Sequence, residues 1–136
     1  MKNDEGKYVA IIVELKQWSK VEIVSEKDGI VRTFVGGDNR EVAHPSYQAW
    51  SYAAYIEDYN ESVQKEKVNL YPCAYLHNYE PEEPKTVLSE KYLEYIKKAP
   101  IFVSGDVYKL RNFINQYVKY GDDKDTLYII ENGKTK

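Results

Sequence analysis

The run from Tyr8 to Lys16 constrains the fold of this chain more than any other segment. Its side chains are apolar on both faces until Glu14, which is the pattern of a strand covered on two sides. It ends in Glu14-Leu15-Lys16. Residues two apart share a strand face, so the carboxylate and the ammonium point the same way. Phosphodiester cleavage uses such a pair, with an acid to hold Mg²⁺ and a cation beside the attacking water. A plain ion pair at a strand end is the competing explanation. Ile12 lies on the same face, and a charge on an apolar face is costly unless something offsets it.

The rest of the pattern predicts an α/β or α+β domain. Val21–Val24 and Ile30–Val35 flank Lys27-Asp28-Gly29 and read as a hairpin, ended by Gly36 to Asn39. Pro45 opens a helix that runs to about Lys65. One stripe of it carries Ala49, Ala53, Ile56 and Val63, and the adjacent one carries Gln48, Tyr52, Tyr55 and Tyr59. Val68 to His77 reads as a buried strand and Tyr79 to Pro84 as an acidic, proline-rich loop. Ser89 caps a short helix to about Lys98, which Pro100 ends. Ile101 to Val103 is a short strand. Asp106 caps a last helix, stopped by Gly121. Residues 1–7 read as a polar turn, 8–121 as the domain, and 122–136 as a C-terminal extension or linker stub with an apolar run from Leu127 to Ile130.

Composition narrows the setting. At 136 residues, 43% hydrophobic and 30% charged, the chain has the profile of one soluble domain. No apolar run is long enough to span a bilayer, and no basic-then-apolar leader opens the chain. Cys73 is the single cysteine, which fits a reducing cytoplasm and excludes a four-cysteine zinc site. The net charge of -3 gives little general attraction for nucleic acid, so local patches, a metal or a neighbouring domain would have to supply it. The 14 tyrosines against 3 phenylalanines suit either base stacking or packing at the edge of a core, and the second is the commoner use.

Gln48 and Tyr52 stand one helical turn apart and share a face. A Gln amide both donates and accepts, and a Tyr hydroxyl can hold a phosphate or a metal-bound water. Glu14-Leu15-Lys16 followed by Gln48 and Tyr52 resembles the RecB-type branch of the PD-(D/E)XK nucleases. The segments Val13 to Trp18, His44 to Tyr52 and Pro72 to Asn78 resemble, more closely, the nuclease-like N-terminal region of bacterial Schlafen-like DNA/RNA helicases. There an ATPase/helicase domain follows. That likeness spans about residues 8–121. It implies a restriction-endonuclease-like mixed sheet flanked by helices. By position it implies Glu14 as a ligand of Mg²⁺ or Mn²⁺, joined by the carbonyl of Leu15. Lys16 would orient the attacking water and stabilise the developing charge, and Gln48 and Tyr52 would position substrate. His44 and His77 are more often hydrogen bonders at a helix start and a strand end than catalysts. Nucleic acid is the implied partner and the bacterial cytoplasm the implied location.

One part of that pattern is missing. Its Asp belongs on a strand before Glu-x-Lys, and the only upstream acids are Asp4 and Glu5. Ten extended residues span about 33 Å, so Asp4 cannot reach a metal on Glu14. The first helix and first strands of that fold are expected to be absent, leaving the strand at 8–16 with a bare edge to be covered by a second copy, a swapped strand or some other segment. The activity expected of this chain is therefore weak or nil. The alternative is a non-catalytic module that binds nucleic acid or a partner, with Glu14 and Lys16 as a structural pair. Asn132 to Thr135 mimics the end of a phosphate-binding loop, but Tyr128 stands where that loop needs Gly. Glu80 to Glu83 reads as a solvated acidic loop. Lys97, Lys98, Lys109, Arg111 and Lys119 read as a basic face or as scattered solvated charges.

Overall fold

The computed structural model describes residues 7–35, 37–60, 65, 67–81 and 86–118. Strand β1 is Val9–Lys16, as its run of Val and Ile dictates. It pairs in parallel with β5, Asn69–Leu76, in register from Val9 opposite Asn69 to Lys16 opposite Leu76. Strand β6, Ile101–Val103, adds in parallel on the far side of β5. The order β1-β5-β6 makes β1 an edge, with no partner on its outer side among the described residues.

Pro72 sits in the central strand of this sheet, where a missing N–H is usually harmful. Its position resolves the conflict. The Asn69 N–H bonds to Tyr8, and the Ala74 N–H bonds to Pro100 ahead of β6. Odd residues of β5 therefore face β1 and even ones face β6. Pro72 turns its ring nitrogen towards β6, whose pairing starts only at Ala74. The missing N–H therefore falls outside the paired stretch, Ala74 to Leu76.

The remaining strands form a sheet of their own rather than extending one mixed sheet. β2, Val21–Ile23, pairs antiparallel with β3, Ile30–Val35. The chain was expected to leave the sheet at Gly36 to Asn39. Instead it reverses at Gly37, whose φ of +84° suits glycine, and Asp38–Ala43 returns as β4 along all of β3. The first four residues of β4 are exposed, so no alternation of apolar side chains announced it.

The parallel sheet is covered on both faces. Ala74, Leu76, Ile101 and Val103 form a core with Val21 and Val31 of the antiparallel sheet. Helix α1, Pro45–Tyr59, covers the other end of that face, with Ile56 packed against the cluster of Ala10 and Val68. On the opposite face, α3, Val107–Tyr117, stacks Tyr117 on Tyr71 at 3.8 Å and sets Phe113 against Phe102. This is an α/β architecture, as expected.

Helix boundaries follow their caps. α1 ends at Asn60, which is extended; residues 61–64 and 66, in the expected continuation to Lys65, lie outside the described residues. Ser89 accepts the Lys91 N–H and opens a 3₁₀ turn at Glu90–Tyr92 that runs into α2, Leu93–Lys98. Asp106 makes no cap bond to α3. Its carboxylate accepts the Val103 N–H at 3.0 Å and so ties β6 to the following turn. Gly121, the run from Leu127 to Ile130, the phosphate-loop mimic and the extension at 122–136 all lie outside the described residues, as does most of the acidic loop. No helix among the described residues is long and apolar enough to cross a membrane.

Candidate functional site

Parallel pairing puts Glu14 beside Ala74 and Lys16 beside Leu76. Both charges thus share the sheet face that carries the main core, at its margin. About a quarter of each side chain remains exposed. Lys16 Nζ lies 3.3 Å from Glu14 Oε1 and 5.1 Å from the centre of the Trp18 ring. Trp18 itself packs against the core. Glu14, Lys16 and Trp18 thus form a ladder in which the ammonium is held between a carboxylate and an aromatic face. Trp18 was not singled out as a site residue from sequence, although its place two residues beyond Lys16 was legible.

Gln48 is half-buried on α1. The flank of α1 that touches α2 is set by Tyr47 against Tyr95 at 4.9 Å and by Lys98 over Trp50 at 4.1 Å. The stripe of Gln48, Tyr52, Tyr55 and Tyr59 lies on a different flank of the helix. Tyr52, Tyr55 and Tyr59 are about half exposed. No hydrogen bond or ion pair among the described residues joins Gln48 or Tyr52 to Glu14 or Lys16. The Leu15 side chain is 62% exposed and points to the face opposite Glu14.

The histidines are not site residues of this ladder. His44 is fully buried. Its Nδ1 accepts the Ser46 N–H at 3.0 Å, and its Nε2–H donates to the Val87 carbonyl at 2.8 Å. Those two bonds require the neutral ring with its proton on Nε2. Burial pushes its pKa down to about 4. The ring also lies 4.6 Å from that of Tyr92, whose hydroxyl donates to the Ile30 carbonyl. His44 is a helix cap built into the core. His77 is exposed at the end of β5. Cys73 is buried, and desolvation raises its thiol to about 11, so it is an inert core residue.

The described residues by themselves do not make up a donor set for Mg²⁺ or Mn²⁺. No group of three or more His, Cys, Asp or Glu side chains able to hold a metal occurs among the described residues. Glu14 is already engaged by Lys16, and Asp4 and Glu5 lie outside the described residues. A cavity of about 300 Å³, lined by Lys7, Tyr8, Lys67 and Asn69, opens at the N-terminal ends of β1 and β5. It is about 20 Å along the strand from Glu14. Compared with models of known families, with curated proteins and with solved structures, the chain matches none.

Proposed function

We propose that this domain is a non-catalytic binding module that engages a polypeptide partner along the tyrosine flank of α1. The observation that carries this reading is the Glu14–Lys16 contact of 3.3 Å, backed by the Trp18 ring. A lysine so held directs its charge at its own carboxylate, and the pair is a structural element of the strand end. The charge of α1 points to a polypeptide rather than to nucleic acid. The helix contains no Lys or Arg, and it carries Glu57 and Asp58. A surface that binds phosphates supplies cations. Half-exposed tyrosines are the residue type that protein interfaces favour.

A second reading is favoured by one observation: α1, which carries Gln48 and Tyr52, packs on the sheet face that also carries Glu14 and Lys16. It is the restriction-endonuclease-like domain of a helicase-linked protein, hydrolysing nucleic acid with Mg²⁺ or Mn²⁺. It requires a further carboxylate from outside the described residues. Metal titration and cleavage assays separate the two. The binding-module reading expects no saturable Mg²⁺ or Mn²⁺ binding at Glu14 and no metal-dependent cleavage of single- or double-stranded DNA or RNA. Metal binding abolished by Glu14→Ala, together with cleavage abolished by Lys16→Ala, would overturn it in favour of the nuclease.

A further inference from the structure

We propose that the cavity at the N-terminal ends of β1 and β5 binds a free mononucleotide, with its phosphate on Lys7 and Lys67 and its base against Tyr8 and Asn69. The site is remote from the Glu14–Lys16 pair and independent of the polypeptide-binding reading.

The lining chemistry selects the ligand. The cavity holds about 300 Å³, the lower end of the range for small-molecule sites. The described residues that line it are two lysines, a tyrosine and an asparagine, with no acid among them. Lysine is a compact point charge that suits phosphate. A phosphate monoester carries close to two negative charges at neutral pH, and two lysines match that dianion. A carboxylate would use only one of them. A tyrosine ring offers a face on which any base can stack. An asparagine carboxamide both donates and accepts, as the edge of a base does.

The frame around the cavity is fixed. Tyr8 packs against the buried cluster of Ala10 and Val68. The Asn69 N–H bonds to the Tyr8 carbonyl at 3.0 Å, which ties the starts of the two strands together. Lys7 and Tyr8 each take part in a further interaction within the chain, so Lys67 is the decisive cation.

Lys67 also carries the second sign of a ligand. Its φ is +55°, and among the described residues it alone has a positive φ without being glycine. Left-handed backbone is costly for a long side chain, and Gly or Asn would hold it at less cost. Residues kept in such conformations cluster at ligand sites, where the surroundings maintain the strain. Here the strained residue is one of the two lysines that line the cavity. Helix α1, whose Ile56 packs against the same cluster as Tyr8, has no Lys or Arg to follow a longer phosphate backbone. That favours a free nucleotide over a strand.

Isothermal titration calorimetry of the full chain tests this with four probes: adenosine monophosphate, adenosine, inorganic phosphate and a single-stranded oligonucleotide with a terminal phosphate. The wild type is expected to bind the monophosphate saturably, with a dissociation constant below about 1 mM, and the other three at least about tenfold more weakly. Lys67→Gly and Lys67→Asn remove the charge but keep a residue that suits left-handed backbone. Each is expected to weaken binding at least about tenfold, while the thermal unfolding midpoint holds or rises. Absence of saturable binding of the monophosphate overturns the proposal. So does equal binding of adenosine or of inorganic phosphate, tighter binding of the oligonucleotide, or an affinity unchanged in both Lys67 variants.

Discussion

The buried cap at His44 offers the most quantitative check on the structure. Its ring is neutral in the folded chain, and burial lowers its pKa from 6.5 to about 4. In the unfolded chain the ring titrates near its ordinary value. Between those values the unfolded state binds more protons, so stability rises with pH across that window. Above about pH 6.5 the contribution is complete, and it is lost as pH falls towards 4. A shift of about 2.5 pH units corresponds to about 3 kcal/mol. The variant that isolates this is His44→Asn. Asparagine is a good helix cap and can still accept the Ser46 N–H, but it does not titrate. It leaves the Val87 carbonyl without its 2.8 Å donor and removes the ring from Tyr92. That is worth about 2 kcal/mol of destabilisation at neutral pH. Urea unfolding of both proteins at a series of pH values measures the difference directly. Carboxylates titrate at the lower end of the same window in both, and their effect cancels in the comparison. The wild type is expected to lose about 3 kcal/mol more than the variant between pH 7 and pH 4. Equal pH dependence in the two proteins would refute the buried, neutral cap.

Three further outcomes follow from single contacts. A double-mutant cycle on Glu14→Ala and Lys16→Ala, read by urea unfolding, should give a coupling of about 0.5–1 kcal/mol, because both side chains remain partly solvated; a coupling above about 3 kcal/mol would mean that the pair is buried in solution. The Tyr95 hydroxyl donates to Asp28 Oδ2 at 2.7 Å, which raises its phenol to about 12, so Tyr95→Phe should remove a late-titrating tyrosine from an ultraviolet pH titration. Gly37→Ala should cost about 1 kcal/mol from backbone strain alone, since φ is +84° and no atom lies within 4 Å of the added Cβ; thermal unfolding shows whether the cost is larger.

Much of the fold was legible before any coordinates. β1, β5 and β6 announced themselves as apolar runs, and α1 by its proline and stripes. β4 did not, because most of its side chains face solvent and its pairing is made by backbone groups that all residues share. Asp106 looked like a cap from its place before a helix, yet its carboxylate serves a strand three residues back. Local spacing does not reveal which of two nearby N–H groups a side chain will reach.

The candidate site divides along the same line. The sequence by itself determined that Glu14 and Lys16 share one strand face, because the alternation of side chains along a strand is a property of the backbone. It also determined that Gln48, Tyr52, Tyr55 and Tyr59 form one helical stripe. Tertiary structure alone decided that Lys16 closes on Glu14 and lies over the ring of Trp18. It also decided that His44 is a sealed cap rather than a titrating group at a surface. Each of those depends on how elements far apart in the chain are stacked. Period and spacing describe a single element, and only packing sets one element against another.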